Sequence, residues 1–183
     1  MNDPALDRSD DWIASGGGPL IVLPDSALAY WNGADEPEMG IIPVDEGASS
    51  DYERACSMSD WVGVIPVGPE EGLVLGDEPL DTRWWRPHES GSLYLIRWIH
   101  GDSTGSVLES LSALDELPLE PTGVLFRNNS ERVVLFDSAM PGTDILTPYS
   151  SMNLAPGTYM VAMGQFKPNP KTKVLVLRLA RAA

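Results

Sequence analysis

Apolar residues recur along this chain in short runs separated by polar stretches rich in glycine and proline. The runs Pro19–Leu23, Trp61–Val67, Gly72–Leu75, Leu93–His100, Gly123–Arg127, Arg132–Asp137, Thr158–Phe166 and Thr172–Ala180 have the length, composition and turn-residue borders of strands. Side chains alternate along a strand, so Leu93, Leu95, Arg97 and Ile99 share one face while Tyr94, Ile96, Trp98 and His100 share the other. Both faces are largely apolar. Arg97 is therefore expected to be half buried and to need a carboxylate or carbonyl partner, with Asp77, Glu78 and Asp137 as candidates for a structural ion pair.

The polar connections Asn128–Glu131 and Lys167–Lys171 are of the kind that close antiparallel hairpins. One helix stands out: Ser106 and Glu109 have capping-box spacing, Val107, Leu108, Leu111, Leu114 and Leu117 recur at helical intervals, and Pro118 stops it. Shorter helices are expected from Asp25, as N-cap, to Tyr30 or Trp31, and around Asp51 to Ser57. The elements predict an α+β fold, mainly antiparallel sheet of about eight strands with one clear helix and one or two short ones. Residues 1–183 read as one domain, with 1–11 a disordered acidic leader and 32–50 an acidic loop carrying Asp35, Glu36, Glu38, Asp45 and Glu46. The similar pieces Leu73–Asp77 and Val134–Ser138 hint faintly at a duplication.

Composition agrees. Seventeen Gly and 16 Pro in 183 residues favour turns over long helices. A chain this long can bury about 70% of its unfolded surface, so it needs no staples, and the single Cys56 fits that. The start, Met1 to Asp11, lacks the basic and apolar stretches of a signal peptide, and no apolar run reaches the ~20 residues of a membrane helix. A cytoplasmic location without membrane contact is expected.

The formal charge is −15, unevenly spread: residues 1–60 carry 13 acids and two bases, net −11, whereas residues 61–183 carry 14 acids and ten bases, net −4. Nucleic-acid affinity comes from neutralising phosphates with Lys and Arg, so this balance speaks against it. An acidic surface instead accelerates encounter with a basic protein.

Signals for chemistry are weak. Gly101–Gly105 matches GxSxG between a strand and a helix, yet His88 and His100 both precede Ser103, and no downstream histidine could serve as base. Asp102, Ser103 and Thr104 read better as oxygens for the helix start. Gly16-Gly17-Gly18 precedes a strand and lacks the GK[ST] ending of a phosphate loop. Two His and one Cys, with no calcium-loop pattern, predict no metal, and no cofactor is indicated. The pair Trp84-Trp85 lies between arginines in what reads as a loop; neighbouring side chains in extended chain point oppositely, so one is hard to bury. Trp12, Trp31, Trp61 and Trp98 read as core aromatics.

Several pieces then appear in order: Gly17–Ile21, Trp31 with Gly33, Asp51-Tyr52 with Arg54-Ala55-Cys56, Leu73–Pro79, Arg97-Trp98, Leu135–Ser138, and Pro156-Gly157 with Tyr159. Through them the chain resembles the immunity protein 21 family from about residue 12 to 180. The resemblance implies an α+β protein of bacterial polymorphic-toxin systems, encoded beside a toxin and neutralising it. Trp31, Arg97 and Trp98 match the tryptophan and arginine that the family emphasises. The chain departs from the family pattern in its leader, in the acidic stretch between Trp31 and Asp51, and at Trp84-Trp85. Immunity proteins commonly vary where they meet their toxins, so these departures are the expected contacts. Asp35, Glu36, Glu38, Asp45 and Glu46 would steer a basic toxin, and Trp84 or Trp85 would anchor it. Two other readings stay open: an enzyme with a carboxylate site around Asp77, Glu78 and Asp137, and a carbohydrate-binding module built on the Trp pair.

Overall fold

The computed structural model describes residues 12–34, 50–76, 78–87, 92–112, 117–144 and 148–182. Its centre is the strand Leu20–Pro24 (β1), all five residues of which are buried. Leu20 and Val22 face one apolar cluster, Ile21 and Leu23 another, as a continuous apolar run requires. Glu70–Leu75 (β3) and Arg132–Asp137 (β7) flank β1 antiparallel, placing Val22 between Leu73 and Leu135. The two similar pieces of sequence thus lie on either side of the same strand. Gly63–Val67 (β2) and Tyr149–Asn153 (β8) complete this sheet in the order β2-β3-β1-β7-β8.

Thr82–Trp85 (β4), Leu93–His100 (β5), Glu120–Asn128 (β6), Gly157–Asn169 (β9) and Thr172–Arg181 (β10) form a second antiparallel sheet, ordered β4-β5-β10-β9-β6. Among the described residues the architecture is α+β: two five-stranded sheets with three helices, one of them clearly longer. Their facing sides share one core, with Leu20, Leu73 and Leu135 from the first sheet meeting Leu95, Phe126 and Leu177 from the second. Each such fully buried side chain contributes about 1.5–3 kcal/mol. The sandwich is fastened along both flanks. Arg127 donates its backbone N–H and a guanidinium N–H to the Glu71 carboxylate at 2.9 and 2.8 Å, holding β6 to β3. On the other flank the Trp84 indole donates to the Ser150 carbonyl at 3.4 Å, joining β4 to β8.

Helices cover the outer faces. The first sheet carries a 3-10 helix, Asp25–Tyr30, and an α-helix, Asp51–Cys56 (α1), which seat Ala27, Trp31 and Ala55 on Ile21, Leu23 and Phe136. The second carries Thr104–Ser112 (α2), whose Val107 and Leu111 pack on Ile96, Phe166 and Val176.

Several expectations are corrected. The 127–132 connection is no hairpin: β6 pairs with β9 and β7 with β1 and β8, so the turn carries the chain from one sheet to the other. The reason lies in Asn128, fully buried, whose side-chain amide donates to Ser130 and Leu154 carbonyls at 2.7 and 2.8 Å and fixes the crossing. The second hairpin, β9 to β10, forms as expected. α2 begins one turn earlier than the Ser106–Glu109 spacing suggests, because Ser103 and Ser106 cap each other reciprocally, each backbone N–H donating to the other's hydroxyl at 3.1 and 3.2 Å. Asp25 is not an N-cap; Pro24 holds that position, and the Asp25 carboxylate pairs with Arg132 at 2.7 Å. Strands β4 and β8 were not expected, β4 being two polar and two aromatic residues and β8 nearly all polar.

Candidate functional site

Four of the shared sequence pieces, Gly17–Ile21, Trp31 with Gly33, Asp51 to Cys56 and Leu135–Ser138, meet at the outer face of the first sheet, whereas Arg97-Trp98 and Gly157 with Tyr159 belong to strands of the second. Trp31, 1% exposed, ends the 3-10 helix and donates its indole N–H to the Ser138 carbonyl at 3.0 Å. Ser138 follows β7 and returns its hydroxyl to the Pro19 carbonyl at 2.6 Å. Asp137, the last residue of β7, takes the Gly16 amide at 2.8 Å on one carboxylate oxygen and the Ala139 amide at 3.0 Å on the other. The glycine turn is therefore held by a carboxylate, the opposite of a phosphate cradle.

α1 is locked onto the same corner. Its N-cap Ser50 accepts from the Glu53 amide at 3.1 Å while the Glu53 side chain accepts from the Ser50 amide at 3.0 Å, a capping box. The Asp51 carboxylate accepts the Asn32 amide at 2.7 Å and pairs with Arg54, whose other nitrogen donates to the Pro66 carbonyl at 2.8 Å. The Tyr52 ring lies over Gly18, where any Cβ would overlap its hydroxyl. That hydroxyl titrates above its ordinary range because it is hydrogen-bonded to Cys56, with burial and the nearby Cys56 and Asp137 charges adding to the effect. Gly33 has φ +70°, a left-handed conformation suited to glycine, and a Cβ there would strike the Ala139 carbonyl.

This corner brings Ala34 and Ser50 together through Asn32–Asp51 and Tyr52–Gly33 contacts. Those two residues flank the acidic stretch. Asp35, Glu36, Glu38, Asp45 and Glu46 themselves, like Asp77 and the leader, lie outside the described residues. Beside the corner, Leu28, Phe136, Pro141, Gly142, Asp144 and Tyr149 line a cleft of about 180 Å³. Tyr30 is half exposed and rests on the β2–β3 turn at Gly68. Among the described residues it is the exposed aromatic of this face, and the sequence marks it only as a helix end.

The tryptophan pair behaves differently from expectation. Trp84 is 1% exposed and belongs to the inter-sheet core, so it offers no surface anchor; β4 is a strand, and one of two adjacent side chains in it must point inward. Trp85 is half buried, tilted against Tyr94 at 5.3 Å. A flat two-tryptophan platform for sugar is therefore not formed. Trp12 and Trp98 meet edge to face at 5.0 Å over the second sheet, partly rather than fully buried.

Arg97 is completely buried, more than expected. It donates to the carbonyls of Leu75, Gly76 and Glu78, the Gly76 bond being 3.0 Å. Carbonyl partners thus join the β5 guanidinium to the segment where the chain leaves the first sheet for the second. Glu78 contributes its backbone carbonyl to Arg97, and Asp137 has both carboxylate oxygens on backbone amides. Among the described residues no three His, Cys, Asp or Glu side chains gather as a metal set, and no helix is long and apolar enough to cross a membrane.

This is a two-sheet α+β protein in which Trp31, Asp51, Arg54 and Asp137 brace one outer corner. Residues 11–172 match the immunity protein 21 family, and the chain belongs to that family. No curated protein and no solved structure matches it.

Proposed function

We propose that this chain is a cytoplasmic immunity protein that binds a cognate polymorphic-toxin domain one to one and neutralises it by covering its active site. The family match across residues 11–172 carries this reading. Charge supports a basic toxin: the first 60 residues hold net −11, and Asp35, Glu36, Glu38, Asp45 and Glu46 fall in sequence between Ala34 and Ser50. In this reading those acids speed encounter, because long-range attraction acts mainly on association rate. Tyr30 takes the role of aromatic contact that the buried Trp84 does not supply, tyrosine being among the residues enriched at interface hot spots. The braced corner would present Tyr30 with little conformational loss on binding.

Growth rescue tests the reading. The C-terminal domain of the toxin-like protein encoded beside this gene is expressed in a bacterial host with and without this chain. Rescue together with a one-to-one complex is expected; killing that persists despite abundant folded chain would overturn it.

A further inference from the structure

A second surface, remote in sequence from the acidic stretch, has the opposite charge. Arg86 and Arg181 stand at a cleft of about 810 Å³ lined also by Leu93, Leu154, Leu179 and Tyr159. Arg86 donates to the Asn153 carbonyl at 2.9 Å and Arg181 to the Pro156 carbonyl at 3.0 Å. The acceptors lie at the end of β8 and in the β8–β9 connection, which is held from beneath: buried Asn128 donates to the Leu154 carbonyl, and the Tyr159 hydroxyl donates to the Ala155 carbonyl at 2.6 Å. The Arg181 guanidinium also packs on Gly157, whose missing Cβ leaves it room.

Among the described residues neither arginine reaches a carboxylate at ion-pair distance, although Glu131 borders the same cleft. In a chain of net −15 two such cations in one concave site are conspicuous. A guanidinium carries five N–H donors, so a single carbonyl leaves most of them available for a planar anion. The two positive charges already act together on one group: burial raises the Tyr159 hydroxyl above its ordinary range, and Arg181 and Arg86 oppose that shift.

We propose that this cleft receives an acidic side chain of the toxin, its carboxylate taken by Arg86 and Arg181. The inference rests on the toxin-binding reading and adds a contact of opposite sign to the acidic stretch. A charge pair buried in a cleft acts on dissociation, whereas rim charges act on association.

The test is surface-binding kinetics of the full chain against the purified toxin domain, comparing the natural chain with Arg86→Gln/Arg181→Gln. An off-rate raised about tenfold or more, with an on-rate within about twofold, is expected. Binding by the natural chain with an unchanged off-rate in the double variant would overturn the cleft assignment alone. No binding by the natural chain would overturn the toxin reading and this inference with it. Should the double variant lose its melting transition, Arg86→Gln alone, at an exposed position, decides: a faster off-rate supports the cleft, and an unchanged one rejects it.

Discussion

The Trp31 indole N–H donates to the Ser138 carbonyl at 3.0 Å, tying residues 107 positions apart across the outer face of the first sheet. The bond is buried, and Ser138 in turn holds the Pro19 carbonyl, so one tryptophan links the 3-10 helix, β7 and the entry to β1. Trp31→Phe keeps an aromatic but strands the Ser138 carbonyl and leaves a void. The expected loss is about 1–3 kcal/mol of unfolding free energy, read from the urea midpoint. An unchanged midpoint would show that the brace carries no weight.

Arg97 should behave as a structural residue. Arg97→Met keeps much of the volume but leaves buried carbonyls of the 75–78 segment without their charged donor, so a loss of about 2–4 kcal/mol is expected. The surviving folded fraction should still bind the toxin. Full stability with lost binding would move Arg97 from the scaffold to the interface.

The sequence disclosed the strands whose apolar runs are continuous, because β1, β5 and β7 are buried on both faces and no other placement suits such runs. It concealed β4 and β8. Ser150 and Ser151 are buried by partners far away in sequence, and Trp84 enters the core only because β4 lies against β5. Local pattern carries neither fact. The 127–132 turn had hairpin chemistry, but the long-range bonds of Asn128 decided its course. At the site, the shared pieces named Trp31, Asp51, Arg54 and Asp137, whereas their meeting at one corner follows from topology alone. Ser50-Asp51-Tyr52-Glu53 did carry a capping-box signal that would have placed the start of α1.

Ser103 tests the GxSxG match. Its hydroxyl accepts the Ser106 amide, so Ser103→Ala should cost about 1 kcal/mol of stability, the usual worth of an N-cap. Any esterase activity that depends on Ser103 would contradict the capping assignment.

Tyr159 predicts the alkaline behaviour. Its folded-state pKa lies above the ordinary 10.0, chiefly through burial. The unfolded chain therefore loses this proton first, and the contribution is fully present below pH 10 and lost as pH rises through the folded value. Tyr159→Phe should lower stability at pH 7 by about 0.5–1.5 kcal/mol, through the lost bond to Ala155, yet flatten the decline above pH 10. Urea midpoints at pH 7 and pH 11 for both chains check this; parallel declines would contradict it.

Association of the toxin domain should be followed by stopped flow across salt concentrations, for the natural chain and for one with Asp35, Glu36, Glu38, Asp45 and Glu46 changed to their amides. The natural chain should lose on-rate steeply with salt, and the amide variant should start about tenfold slower with a much flatter dependence, their off-rates staying alike. A natural chain whose association ignores salt, or an amide variant that associates as fast, would contradict the proposal that these acids guide the toxin in.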